Sequence, residues 1–321
     1  MAEKIATRQA YGEELAALGA KEPNLVVLDA DLSGSTMTKL FKAAYPERFF
    51  NAGIAEQDMV AMAAGLAASG KTAVCSTFAM FAAGRAFEII RNSIGYPHLN
   101  VKICATHAGV TVGEDGASHQ CIEDLALMRT IPGMTVINPA DAVSSKLLLG
   151  EAVRMNGPAY LRFGRAAVPV FYKPNAKLVI GKAGVLRKGD TVENGVKKYA
   201  DVTIIATGIE VAEALEAADL LAKRKIRARV LDMHTIKPID EKAIVKAAKE
   251  TGRIVTAEEG TVVGGLGSAV SEVVTRSKYP CRVAMVGVQD RFGQSGKPAE
   301  LMAEYGLTAA DIVRAVKELL K

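Results

Sequence analysis

The segment RFFNAGIAEQDMVAMAAGLAASG, residues 48–70, decides the fold and raises the first functional question. It is almost wholly small and apolar, as a buried helix must be, yet Glu56 and Asp58 stand where that helix begins. A carboxylate there is either a plain N-terminal group, stabilised by free amides and the helix dipole, or an acid kept dry because a ligand needs it. Outward from this segment, short apolar runs at 24–30, 71–78, 100–107, 134–139 and 159–165 read as strands. Helical patterns at 55–69, 80–94 and 141–154 separate them. Continuous apolar strands with intervening helices predict an open parallel α/β sheet covered on both faces.

From 168 to 199 the sequence turns polar, punctuated by Pro and Gly, and a second α/β alternation follows. The expected organisation is a first domain over 1–170, a linker over 171–190 and a second α/β domain over 191–321. No run of eighteen apolar residues is present, so no membrane span is expected. The net charge of +5 is dispersed, dense only in KRKIRAR at 223–229, which argues against a nucleic-acid surface. Four cysteines lie far apart without paired spacing, so neither a disulfide framework nor a zinc site is expected. With no apolar signal core near the start, a reduced cytoplasmic setting is the expectation.

Open parallel sheets bind ligands beyond the carboxyl ends of their strands, which directs attention to loops 30–38, 76–81, 106–120 and 163–167. THAGVTVGEDGASHQ, residues 106–120, holds two of the four histidines, His107 and His119, together with Glu114 and Asp115. A solvated glycine-rich turn would need none of these; acid/base chemistry needs such groups at this edge. The two histidines are not at helical spacing and the loop has no cysteine, so a non-metal catalytic loop is the better reading. Phe78 and Phe81 are either a hydrophobic staple at a helix start or an aromatic platform, and spacing alone favours the staple. Arg8, Ser35 and Arg165 are each ordinary alone, although an arginine fork suits phosphate or carboxylate. GTVVGGLGSAV, residues 260–270, lacks the Lys-Ser/Thr pair of a phosphate loop and reads as a helix start at a domain or subunit contact.

In order, DADLSGS, GIAEQDM, STFAMF, THAGVTVGEDGASHQ and LRFGRAAVP, then a small α/β unit, resemble the thiamine-diphosphate enzymes of the transketolase family over essentially the whole chain. The resemblance implies a pyrimidine-binding domain followed by a transketolase C-terminal domain. It places Glu56 against N1′ of the cofactor's aminopyrimidine, where a buried carboxyl can share a proton with the ring. It sets Phe78 and Phe81 on the aminopyrimidine, reversing the preference from spacing, and Asp31 in the loop that approaches the cofactor. His107 and His119 would face the donor ketose, Asp115 would read its C2 hydroxyl, and Arg8, Ser35 and Arg165 would bind phosphate at the mouth.

His107 and Arg8 resemble transketolase itself. MHTIKPID and FGQSG are similar instead to deoxyxylulose-phosphate synthase and 2-oxoacid dehydrogenase β subunits, the alternative reading. Gly84 departs from the pattern where transketolases often carry tyrosine, and Phe87 is the nearest substitute. The family's GDG…N motif, which holds diphosphate and a divalent cation, does not appear in the sequence. The resemblance therefore implies a separate N-terminal subunit that binds the diphosphate with Mg or Ca. It further implies a heterotetramer that moves a two-carbon ketol unit between sugar phosphates only when that partner is present.

Overall fold

The computed structural model describes residues 3–193 and 195–321. The strands expected in the first half all form and join one seven-stranded sheet. Its order is Thr235–Lys237, Thr135–Ile137, Ala159–Arg162, Val101–Thr106, Thr72–Phe78, Leu25–Asp29, Phe49–Asn51. All neighbours are parallel except the first pair. The Leu25–Asp29 strand is buried at every position because successive side chains point to opposite covered faces. Leu25, Val27, Val74, Cys104 and Leu161 meet Tyr11, Leu15, Leu148 and Leu149 from the helices Thr7–Gly19 and Ala142–Arg154. Val26, Leu28, Cys75 and Ile103 meet Met59, Val60, Ala63, Ile90 and Ile94 on the other side.

The helical stretch expected at 80–94 is irregular. Two wide π-helical segments, Met80–Arg85 and Ile90–Gly95, flank the short α-helical turn Phe87–Ile89. Such segments accompany functional sites, because the extra residue per turn re-aims side chains.

The second half forms a five-stranded sheet, ordered Arg282–Val288, Arg253–Thr261, Val202–Ala206, Ala228–Asp232, Gly184–Arg187. The last of these, from the stretch expected to link the halves, is the antiparallel edge. The halves are also tied together directly, since Thr235–Lys237 extends the edge of the first sheet. The glycine-rich turn before the Leu266–Arg276 helix holds no room for a ligand anion. The Glu258 carboxylate already accepts from the amides of Leu266 and Gly267, both at 2.8 Å. A Cβ at Gly265 would lie 2.1 Å from Glu258 Oε2, which explains the glycine. No described helix is long and apolar enough to cross a membrane.

Candidate active site

The strand order of the first sheet reverses at Leu25–Asp29. The next strand in sequence, Phe49–Asn51, lies on one side of it and Thr72–Phe78 on the other. A crevice opens beyond the carboxyl ends of strands at such a reversal. Phe78 ends the Thr72–Phe78 strand, and Asp31, Ser35, Glu56, His107 and Arg165 follow strand ends on this edge.

The loop after Leu25–Asp29 is organised by a buried carboxylate. Asp29 accepts from Leu32 N at 2.6 Å, Thr36 Oγ1 at 2.7 Å and Thr38 Oγ1 at 2.9 Å. Burial pushes its pKa up, while these bonds favour the charged form. Asp31 is exposed with φ +63°, and its amide donates to Asn51 Oδ1 at 3.0 Å. Asn51 Nδ2 returns a bond to Asp31 Oδ1 at 3.1 Å, and Asn51 Oδ1 also accepts from Gly53 N at 3.0 Å. Asp31 is thereby coupled to the turn that leads into Glu56.

Glu56 is the first residue of the Glu56–Ala68 helix and is only 2% exposed. Its Oε2 accepts from Arg85 Nη1 at 2.7 Å, and among the described residues Oε1 has no hydrogen-bond partner. Asp58 sits exposed in the same first turn, a solvated carboxylate at a helix start. The Phe78 ring stacks on Phe81, with centroids 5.7 Å apart and planes at 14°, and on His107 at 3.9 Å. His119 meets the edges of Phe78 and Phe81 at 6.2 and 5.4 Å, and Arg85 lies 4.7 Å from the Phe81 centroid. Phe87 packs on the core, and Met80 Cε covers the space that a Cβ at Gly84 would fill.

His107 is buried and adopts φ +56°, a backbone strained for a residue with a side chain. Arg8 Nη1 stands 3.4 Å from its Nε2. Arginine can only donate, so Nε2 accepts and the ring proton rests on Nδ1, which donates to Thr106 Oγ1 at 2.9 Å. Burial pushes the His107 pKa down to about 3, helped by the positive fields of Arg8, Arg165 and His119. The ring is thus neutral at ordinary pH.

Arg8 also donates to the main-chain oxygen of Ser35 at 2.7 Å and has no carboxylate partner among the described residues. Burial and the neighbouring Arg165 both lower its pKa. Arg165 pairs with exposed Glu114 at 3.0 Å and donates to Val112 O. Arg8 and Arg165 repel each other, and among the described residues Glu114 pairs with Arg165 alone, so the two guanidinium groups carry positive charge that an anion would offset. Asp115, exposed on the same loop, has no protein partner among the described residues, so it is free to meet a ligand.

The profile described as "Transketolase, pyrimidine binding domain" matches residues 3–170, and "Transketolase, C-terminal domain" matches residues 194–312. This chain belongs to the transketolase family. It is 49% identical over 316 residues to a Methanocaldococcus jannaschii protein whose name assigns it to a transketolase C-terminal section, covering 98% of this chain and 96% of that one. It is 40% identical to the 6-deoxy-6-sulfo-D-fructose transketolase subunit SqwH of Clostridium sp. (strain MSTE9), covering 97% and 94%. Human transketolase is 40% identical over 99% of this chain but only 49% of its own length, so the chain spans about half of a full transketolase. Among solved structures, a split-gene transketolase described as an inactive β4 tetramer superposes with a TM-score of 0.88 and 52% identity, covering 99% of both chains.

The transketolase family uses thiamine diphosphate, and the residues present fit the aminopyrimidine half of that cofactor. A buried carboxyl with one open oxygen stands beside a parallel aromatic pair, the donor set that a basic heterocycle requires. Among the described residues, no group of three or more His, Cys, Asp and Glu side chains is placed to hold a metal ion. Sequence reasoning missed Arg85 and Asn51. Arg85 carried a readable signal, since it follows Phe81 by four residues in a helical pattern. Asn51 carried none.

Proposed function

We propose that this chain, joined by a separate N-terminal subunit, forms a cytoplasmic transketolase that moves a two-carbon ketol unit from a ketose phosphate to an aldose phosphate. The observation that carries this reading is the meeting of neutral His107 with Arg8 beside the Phe78–Phe81 pair, on the sheet edge that Glu56 also occupies. Bound thiamine diphosphate supplies the nucleophile and electron sink. Glu56 holds a proton at the aminopyrimidine N1′, and Arg85 fixes the carboxyl's orientation. His107 and His119 line the donor side, where a neutral imidazole orients hydroxyl and carbonyl groups without adding charge. Asp115 reads the C2 hydroxyl of the sugar. Arg8 and Arg165 hold the terminal phosphate, with the Ser35 hydroxyl free to add a donor.

The diphosphate and its Mg or Ca ion belong, in this reading, to the partner subunit, and the assembly is a heterotetramer. Support comes from the half-length match to full transketolases and from the split-gene neighbour solved as an inactive tetramer of one chain type. A second reading has its own support in the relative named for a sulfo-sugar, similar over nearly the whole of both chains. A sulfonate is also a tetrahedral anion that the Arg8–Arg165 pair would accept. The deciding experiment measures thiamine-diphosphate binding and ketol transfer with this chain alone and with its N-terminal partner. Xylulose 5-phosphate and a 6-sulfo ketose are offered as donors. Transfer only with the partner supports the split enzyme, and the preferred donor selects between phosphate and sulfonate. Turnover by this chain alone would overturn the division of the site.

A further inference from the structure

His107 and Asp115 are carried by a loop whose anchor lies in the other half of the chain. Gly109, Gly113 and Gly116 all adopt positive φ, at 80°, 88° and 75°, so the loop has little local reason to hold one shape. Glu259, in the Arg253–Thr261 strand of the second sheet, reaches across to it. Its Oε1 accepts from Thr111 N at 2.6 Å. The contact is close enough that a Cβ at Gly109 would stand 2.2 Å from the Glu259 carboxyl carbon. The Gly109 amide meanwhile donates to Cys121 O at 2.8 Å, and Thr261 N donates to Ile122 O at 2.9 Å. Both ends of the loop are therefore registered against one strand of the second half.

The charge of Glu259 has a less obvious use. Arg162 is the nearest cation, at 3.8 Å from Oε2, but its Nε already donates to both oxygens of Asp124, at 3.2 and 2.9 Å. Neutralising Arg162 does not require a second carboxylate. Accepting the Thr111 amide does require an oxygen there, because a buried amide without a partner is costly.

We infer that Glu259 is a positioning residue for ketol transfer, holding the Gly109–Val112 backbone so that His107 and Asp115 meet the donor in one geometry. This rests on the reading of His107 and Asp115 as donor-facing residues. It also assigns the C-terminal half a direct part in setting the site, in addition to any part in assembly.

The test compares Glu259→Met, which fills the space without an acceptor, with Glu259→Gln, which keeps one. Amide exchange of peptides covering 107–116 is measured on this full chain. Donor kcat and KM are measured in the complex with the partner. Exchange in the Met variant should rise about tenfold, the value of one lost bond of about 1.4 kcal/mol. Its donor kcat should fall by about 10- to 100-fold, as misplacement of reacting groups does. Cofactor binding and partner assembly should stay unchanged, and Gln should restore both exchange and kcat. Unchanged exchange in the Met variant, or equal damage by Gln and Met, overturns the inference. A wild-type complex without ketol transfer would sink the functional reading and the catalytic part of this one. The exchange comparison would still decide whether Glu259 fixes the loop.

Discussion

Arg85 Nη1 lies 2.7 Å from Glu56 Oε2 while its guanidinium covers the Phe81 ring at 4.7 Å. One side chain thus joins the candidate proton donor to the aromatic wall. Glu56 is buried and Arg85 half exposed, so the carboxyl is oriented from its solvent side and its second oxygen is left open. A helix start alone would leave the side chain free to turn toward its own amides. The Arg85 guanidinium instead holds one carboxyl oxygen in place.

Glu56→Gln should preserve the fold and lower ketol transfer by about 100-fold or more, the scale of a lost acid/base group. Circular dichroism and turnover in the assembled enzyme check the two halves of this statement. Arg85→Met should leave the buried Glu56 carboxyl without its donor, at a cost of about 1–3 kcal/mol, and reduce kcat by about tenfold. Full activity in Glu56→Gln would remove the proton-handling role.

His107 should show no titration between pH 5 and pH 8 in ring NMR spectra, because burial, Arg8 and Arg165 depress its pKa to about 3. The sign for stability follows from that depression. The unfolded imidazole takes its proton near 6.5 and the folded one near 3. The stabilisation is therefore present above about 6.5 and is lost as pH falls from there toward 3. His107→Gln should flatten this acid limb of a pH–stability curve. A titration midpoint near 6.5 for His107 would contradict the neutral, proton-on-Nδ1 assignment.

Strands such as Leu25–Asp29 were legible because burial on both faces leaves a continuous apolar run, and Glu56 was legible as an acid inside one. Spacing could not show that Phe78 also stacks on His107, which stands at the end of the adjacent strand. Nothing local to a six-residue window records that. The same distance in sequence hides Glu259, whose partner Thr111 is 148 residues away. Thr235–Lys237 was equally hidden, because three residues from the second half complete the first sheet. The glycine turn at 260–265 mimicked a phosphate loop because its helix start does bind an anion, supplied by Glu258.

Arg165→Ala should raise KM for phosphorylated substrates more than for unphosphorylated analogues, with kcat nearly kept, as expected for an interaction shared by ground and transition states. Asp115→Ala should act differently. Its side chain has no partner among the described residues, so melting temperature should stay constant while discrimination among donor stereoisomers at C2 weakens. Steady-state kinetics with paired donors reads both, and equal KM changes for charged and uncharged substrates would remove the phosphate assignment.

Asp124→Asn should be among the most destabilising single changes. Asp124 is fully buried and accepts from Tyr160 OH at 2.8 Å as well as from Arg162 Nε. Without that charge, Arg162 stays 3% exposed, with main-chain acceptors at Glu259 O and Cys121 O but only the Glu259 carboxylate, at 3.8 Å, to balance its charge among the described residues. Leaving a buried cation poorly paired costs about 3–5 kcal/mol, which should appear as a lower urea midpoint at an unchanged slope. Combining Asp124→Asn with Arg162→Met should recover part of that loss, because no buried guanidinium then lacks a carboxylate. If the double variant were as unstable as the sum of the two singles, Asp124 and Arg162 would not be coupled.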